Sequence, residues 1–153
     1  MDSELRGFYL KKLLIPVGIY LIFEILFIFI PEFVLSFSIQ SNLLPIVVFV
    51  GGATTGLGLT IFYRSYFANR NRNLKSISKT EFIKFEKNLI TLSLLPVYFA
   101  LFGVLQKIPE FYQYFSILVA LYAAYYYYPS SKRLELDRRI YRVEESSTGT
   151  EAL

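Results

Sequence analysis

One acid interrupts a long apolar run near the start of this 153-residue chain, and no other residue has a setting that suggests chemistry so strongly. Glu24 lies within "LLIPVGIYLIFEILFIFIPEF", residues 13 to 33. An ionised carboxylate at the centre of a bilayer costs at least ~2.5–3.5 kcal/mol. Glu24 could therefore be protonated, so that it hydrogen-bonds to hydroxyls and fixes neighbouring helices. Alternatively it lies beside a water-filled path, binds a transported cation or proton, or meets a cation from a partner subunit.

Hydroxyl groups lie at the same predicted depth as this acid. Glu24 would sit about 16 Å into a hydrocarbon core of about 30 Å. No Lys or Arg lies within the apolar runs, so the chain offers the acid no cation at that depth. The hydroxyl-bearing residues that share its helix face or its depth are Tyr20, Thr54, Thr55, Tyr98 and Ser116. Together with Glu24 they form a predicted intramembrane polar site.

Four apolar segments must position these residues, and each is long enough to cross a membrane, which needs about 20 mostly apolar residues. They cover about 13–30, 43–63, 89–106 and 111–128. The pattern predicts an all-α polytopic membrane protein whose four transmembrane helices form an antiparallel bundle. The run "YYYY", residues 125 to 128, is typical of an aromatic belt at the membrane interface, with a ligand-stacking platform as the alternative.

Lys and Arg are distributed unevenly between these segments. The N-terminal segment, the connection 64–88 and the C-terminal segment are strongly basic, whereas the two other connections hold only Lys107 between them. Because Lys and Arg are retained on the cytoplasmic side, we predict cytoplasmic termini, a basic cytoplasmic face and a multi-pass location in a membrane, the cytoplasmic membrane in a prokaryote. Reading the first segment as a cleaved signal peptide would leave three spans and break the alternation of charge.

The basic segments contain further structural signals. Ser78 precedes Glu81 by three residues, which is the spacing of a capping box, so the third helix should begin there and run about 28 residues. The preceding "RSYFANRNRNLKS" is interpreted as a flexible basic turn. "KRLELDRRIYRV", residues 132 to 143, predicts a short surface helix with Leu136, Ile140 and Val143 on its apolar face. We expect one domain over residues 1–143 and a disordered tail over residues 144–153.

Small residues in the second and fourth segments indicate helix packing. "GGATTGLGLT", residues 51 to 60, has the glycine spacing of a phosphate loop but carries Leu57 in place of the lysine. Gly52 and Gly56 instead form a small-xxx-small pair, and Ala120 and Ala124 form a second one. Packing within the bundle and contact between copies both use this motif.

The composition narrows the function classes. The chain has neither Cys nor His, which excludes thiol chemistry, disulfides, histidine bases and the usual zinc sites. We expect no cofactor and no bound metal. We also expect no nucleic-acid partner, because the retention of basic segments on the cytoplasmic side of a membrane accounts for the positive charge. The expected partners are the lipid bilayer, anionic headgroups at the cytoplasmic face, and a second copy or another membrane subunit.

A non-enzymatic accessory or scaffolding subunit is the function that these observations favour. A small oligomeric transporter or channel that uses Glu24 is the alternative, and four spans with an acid in the first resemble the small multidrug-resistance exporters in architecture. Those exporters have brief connections and small residues around the acid, whereas "GIYLIFEILFIF" surrounds Glu24 here. An enzyme with a cytoplasmic site near Glu81, Glu86 and Asp137 is a third possibility.

Overall fold

The computed structural model describes residues 2–29 and 41–144, and within these ranges the side chains of residues 24 and 27 are not described. Most of the predicted outer connection 31–42 and of the predicted tail 144–153 therefore lies outside the described residues. Within the described part, the predicted all-α class is confirmed, since no strand is present there. The helices are α1 (Asp2–Phe29), α2 (Leu44–Arg70), α3 (Lys79–Leu105), α4 (Glu110–Tyr126) and α5 (Ser131–Ile140).

Two of these helices are long and apolar enough to cross a membrane. They are α2 and α3, each with 27 residues, or about 40 Å at 1.5 Å per residue. Helix α1 has 28 residues and begins at Asp2, well before the apolar run at residue 13, and α4 has 17 residues. Pro16 and Pro96 lie inside α1 and α3 without ending either helix.

Helix α3 is the centre of the bundle, because it contacts α1, α2 and α4. Glycines let its neighbours approach closely. A Cβ atom at Gly56 would lie 2.5 Å from Pro96 Cγ, and one at Gly51 would lie 2.7 Å from the Phe99 ring. Both distances are too short for a real side chain, so α2 can pack this closely on α3 only with glycine at these positions.

A π-helical segment interrupts the middle of α2. It covers Thr54–Leu59 and contains two of the glycines of "GGATTGLGLT". The Thr55 hydroxyl donates to Gly51 O at 2.8 Å, and the Thr60 hydroxyl donates to Gly56 O at 2.7 Å. These hydroxyls satisfy carbonyls where the regular helical bonding pattern changes.

Residues 64–76 belong to an ordered region, which corrects the expectation of a flexible turn there. We call this region the cap, and its buried core consists of Phe67, Ile77, Phe82, Phe85, Leu89, Tyr127 and Tyr141. Helix α2 continues to Arg70, and Phe67 stacks on Phe85 of α3 with ring centroids 4.0 Å apart. Ile77 is buried, and its N–H donates to Arg142 O at 3.1 Å in an isolated parallel bridge with Val143. Burial of aromatic side chains orders a segment whose charge suggested a loose loop.

Two features predicted from the sequence, a capping box at Ser78 and a surface helix over residues 132–143, lie at the cap. The capping interaction is confirmed, since Ser78 Oγ accepts from Glu81 N at 3.3 Å where α3 begins. The predicted surface helix is confirmed as a helix, α5, and Leu136 and Ile140 of its predicted apolar face are 58% and 56% exposed, whereas Val143 lies beyond the helix and packs against the cap. The face that packs on the cap contains Leu134 and Asp137, three residues apart, because cations of the cap neutralise the acid.

Candidate functional site

The residues of the predicted intramembrane polar site are spread over the bundle. Glu24 lies in α1, and its side chain is outside the described part. Thr54 is exposed, and Thr55 bonds to its own helix. The Tyr98 hydroxyl donates to Lys12 O at 3.4 Å, near the start of the apolar run of α1.

The two remaining hydroxyls of that prediction lie in different places, one at a groove and the other in the interior. Tyr20 lines an apolar groove of about 480 Å³ between α1, α3 and α4. Ser116 is buried in α4, and its Oγ has no hydrogen-bond partner among the described residues. A direct link between Glu24 and these hydroxyls stays a prediction.

The small residues predicted for helix packing occupy two contacts. Gly52 and Gly56 face α3, and a Cβ at Gly52 would lie 3.5 Å from Phe99 Cβ. Ala120 and Ala124 of α4 line the apolar groove, and Ala124 O accepts from the Tyr9 hydroxyl of α1 at 2.8 Å. The first pair therefore packs inside the chain, while the second borders an open groove.

A buried cluster of four charges lies at the cap, and it is the most concentrated polar chemistry in the described part. Glu86 of α3 and Asp137 of α5 are 0% and 1% exposed. Arg133 of α5 lies between them, with Nη2 2.5 Å from Glu86 Oε2 and Nε 3.4 Å from Asp137 Oδ2. Arg64 of α2 completes the cluster, with Nη2 2.6 Å from Asp137 Oδ1. The four side chains thus join α2, α3 and α5.

The sequence places each member of this cluster by local rules. Glu86 follows Phe85 and shares a helix with Phe82 and Leu89, which are buried in the cap. Arg133 and Asp137 are four residues apart on α5 and so share a face. The Ser130 hydroxyl accepts from Arg133 N at 3.3 Å and begins α5.

Burial raises the pKa of Glu86, the acid of the cluster that lies on α3. Desolvation of Glu86 raises its pKa from about 4.5 to about 7, against the attraction of Arg133, which lowers it. Asp137 raises it further by charge repulsion. Glu86 Oε1 has no hydrogen-bond partner in the described part of the chain, which adds to the cost of an ionised carboxyl there. The pKa of Glu86, which lies just before the apolar run that begins at Leu89, is therefore close to neutral pH.

The tyrosine run at the end of α4 contributes to the same cluster. Tyr127 is buried, and its carbonyl accepts from Arg133 Nη1, whose guanidinium lies 5.7 Å from the Tyr127 ring centroid. Tyr125, Tyr126 and Tyr128 are exposed. A belt on every side of the helix is therefore wrong for Tyr127, because a charged partner in the cap holds this ring.

Two further ion pairs attach the start of α1 to the same end of the bundle. Glu4 Oε1 lies 2.5 Å from Lys87 Nζ of α3, and Asp2 pairs with Arg138 of α5. Lys87 lowers the pKa of Glu4 through this contact. Acidic residues in the first turn of α1 thus meet cations from two other helices.

The cluster is suited to joining helices. Its carboxylates are enclosed and hold two arginines, so a substrate has no direct access to either acid. The sequence reading that considered Glu81, Glu86 and Asp137 included two of its members, and Glu81 is not among these contacts. It missed Arg64 and Arg133. The signal for Glu86 was an acid set among Phe82, Phe85 and Leu89, but no local pattern pairs it with residues 47 positions away.

We found no match to this chain among protein-family models, curated proteins or solved structures.

Proposed function

We propose that the chain is a four-span membrane protein with both termini in the cytoplasm, and that it acts as a non-enzymatic accessory or scaffolding subunit. The observation that carries the proposal is the charge-paired cap, which collects the basic ends of α1, α2, α3 and α5 on one side of an apolar bundle. Basic segments on one side are the arrangement that the positive-inside rule favours.

The outward faces of the bundle support a lipid environment. Leu14 and Ile28 of α1, Phe62 of α2 and Leu118 of α4 are each more than 60% exposed, and other large apolar side chains surround them. Soluble monomers rarely expose contiguous apolar surface beyond a few hundred Å². The apolar lengths of α2 and α3 also match a hydrocarbon core of about 30 Å.

Single cysteines test the topology cleanly, because the chain has none of its own. Asn73→Cys lies in the basic connection, and Glu110→Cys lies at the start of α4. Both positions are exposed. In intact cells a membrane-impermeant maleimide should label Glu110→Cys, and Asn73→Cys should react only after permeabilisation. Labelling of both positions from one side would contradict the four-span arrangement.

The apolar groove supports the accessory role. Its floor contains Ala100, Ala120 and Ala124, and small residues allow a further helix to approach the backbone closely. Because Gly51 and Gly56 already pack against α3, this groove offers another subunit a small-residue surface that the described part of the chain leaves open.

Cross-linking in the native membrane tests that role. Leu121→Cys lies in the groove and Phe62→Cys lies on the outward face of α2, and both side chains are more than 60% exposed. A maleimide–benzophenone reagent, attached to the thiol and then inserted by light into a neighbouring C–H bond, should join Leu121→Cys to a defined second chain, identified by mass, with little product from Phe62→Cys. If neither cysteine variant gives a cross-linked product and the protein is also monomeric in mild detergent, the result would count against an accessory subunit.

One observation favours the alternative, a small transporter or channel that uses Glu24. The π-helical segment Thr54–Leu59 begins in the second span at the depth predicted for Glu24, and such segments often occur at functional sites. Proton and cation flux into liposomes should then fall in Glu24→Gln and stay unchanged in Glu81→Gln. Equal flux in the two variants, or no flux above empty liposomes, rejects this alternative.

A further inference from the structure

A groove in the cap, between the end of α2 and the start of α3, has the features of an anion site. It has a volume of about 740 Å³, which lies within the usual range of ligand pockets. Tyr63 and Tyr66 of α2 form one wall, and the first three turns of α3 form the other. The Tyr63–Phe85 stack, with centroids 5.4 Å apart, closes it toward the aromatic core of the cap.

The charge of the groove is positive and partly uncommitted. Arg70, Lys84 and Lys87 line it, against one acid, Glu81. Lys87 is shared with Glu4, whereas Arg70 and Lys84 form no ion pair within residues 2–29 and 41–144. Two cations on facing helices therefore border the same space.

Neutral donors lie beside these cations. Asn88 Nδ2 donates to the Tyr63 hydroxyl at 3.1 Å, which leaves the hydroxyl hydrogen of Tyr63 available to an acceptor. The Thr80 side chain also lines the groove. Hydroxyl and amide donors next to Arg and Lys are the groups that bind phosphate oxygens.

The position of the groove identifies the source of the phosphate. Tyr63 ends the apolar run of α2, and Asn88 directly precedes the apolar run of α3, so the groove opens at the level of the headgroups in the proposed membrane arrangement. Just below it on α2, Leu59 and Phe62 present exposed apolar side chains. A headgroup phosphate in the groove would place its acyl chains along this surface.

We propose that this groove binds the headgroup of one anionic phospholipid, with Arg70 and Lys84 as the cations that contact the phosphate. The inference rests on the proposed membrane arrangement. It goes beyond general attraction to the membrane surface, because it assigns one site between two named helices. Each cation near an anionic lipid contributes about a fivefold gain in affinity, so the pair contributes about 25-fold.

Native mass spectrometry of the full chain in mild detergent measures this directly. Phosphatidylglycerol and phosphatidylcholine with the same acyl chains serve as probes. The wild type should retain one phosphatidylglycerol in preference to phosphatidylcholine. In Arg70→Gln/Lys84→Gln, the affinity for phosphatidylglycerol should fall about 25-fold while the affinity for phosphatidylcholine stays unchanged. The single substitutions, each expected to cost about fivefold, replace the double variant if its thermal unfolding is altered.

The matched control removes the same charge outside the groove. Lys132→Gln/Arg139→Gln changes two exposed cations of α5 and should leave the preference within about twofold, because neither side chain lines the groove. Equal losses in the two double variants would show diffuse surface attraction and overturn the site. Displacement of the lipid by millimolar inorganic phosphate would assign the groove to a free anion and overturn the lipid.

An absence of any preference in the wild type would also overturn the proposal. If the cysteine labelling then still places residues 73 and 110 on opposite sides of the membrane, the groove alone is refuted. If the labelling pattern fails, the membrane arrangement on which the groove depends is refuted first.

Discussion

Arg133 should hold α5 on the bundle, and its loss should release that helix far more than the loss of Arg139, six residues further along the same helix. Arg133 is 14% exposed and contacts two acids that are almost fully buried, Glu86 and Asp137. Removing one partner of a buried ion pair typically costs about 3–5 kcal/mol when the remaining charge stays ionised. The measurement is therefore made at about pH 8, above the pKa of about 7 of Glu86, where Arg133→Gln leaves that carboxylate without its cation. We expect Arg133→Gln to weaken the docking of α5 by this amount, which raises its undocked fraction at least a hundredfold.

Arg139→Gln is the matched control for this change. Arg139 lies on the same helix and pairs with Glu135, but the two side chains are 76% and 60% exposed. Such a pair at four-residue spacing contributes about 0.3–0.5 kcal/mol. The same chemical substitution should therefore change the undocked fraction by little more than twofold.

A single reporter cysteine measures the undocking. Leu134→Cys places a thiol at a fully buried position of α5, and Leu136→Cys at a 58% exposed position gives the rate for an open thiol. The ratio of their rates of modification by a water-soluble maleimide reports the undocked fraction in each background. Since the reporter is the same in every variant, its own cost cancels.

The reasoning is refuted if Arg133→Gln and Arg139→Gln change this ratio by similar factors. It is also refuted if Arg133→Gln leaves the ratio of the wild type unchanged, because a buried ion pair that can be removed without effect does not hold the helix. Far-ultraviolet circular dichroism separates local undocking of α5 from global unfolding.

The stability of the cap should fall as the pH rises from about 5 to about 8. The pKa of Glu86 is raised to about 7, so between about 4.5 and 7 the folded chain binds more protons than the unfolded chain, and the loss is on the order of 3 kcal/mol. Denaturant unfolding in detergent at several pH values measures it, and a slope that survives in Glu86→Gln assigns it to another group. Gly56→Ala should destabilise the bundle by about 1–3 kcal/mol, because its Cβ would lie 2.5 Å from Pro96 Cγ. Gly58→Ala, whose nearest contact is 3.8 Å away, should be neutral or stabilising, and thermal unfolding that ranks the two variants in the opposite order rejects this packing.

Much of the fold could be predicted from apolar run lengths and from single capping residues. The all-α class and the start of α3 at Ser78 depend on local patterns, since length and hydropathy alone select helices and one side chain fixes the cap. The helix over residues 132–143 was also predicted from its periodicity. The face that packs on the bundle could not be predicted, because Asp137 is polar in the sequence and becomes a core residue only beside Arg64 and Arg133.

The cap could not be predicted for the same reason. Its contacts join residues far apart in the chain, such as Arg64 with Asp137 and Arg133 with Glu86. Its aromatic core uses Phe67 and Tyr141 from segments whose charge suggested exposure. A local hydropathy average combines the aromatic and charged residues of a segment, whereas the fold places them on opposite faces.

The contact between Gly56 and Pro96 has a mechanical consequence for the bundle. It lies near the middle of α2, about 20 Å from either end, and the absence of a side chain on Gly56 lets the α2 backbone approach Pro96 of α3 closely there. We expect relative motion of the two helices to be a rocking about this close approach. A rotation of about 10° would displace the two ends of α2 by about 3.5 Å in opposite directions, given a lever of about 20 Å. In the proposed membrane arrangement, a change in width at the groove between the end of α2 and the start of α3 would thereby be transmitted, with reversed sign, to the opposite side of the membrane.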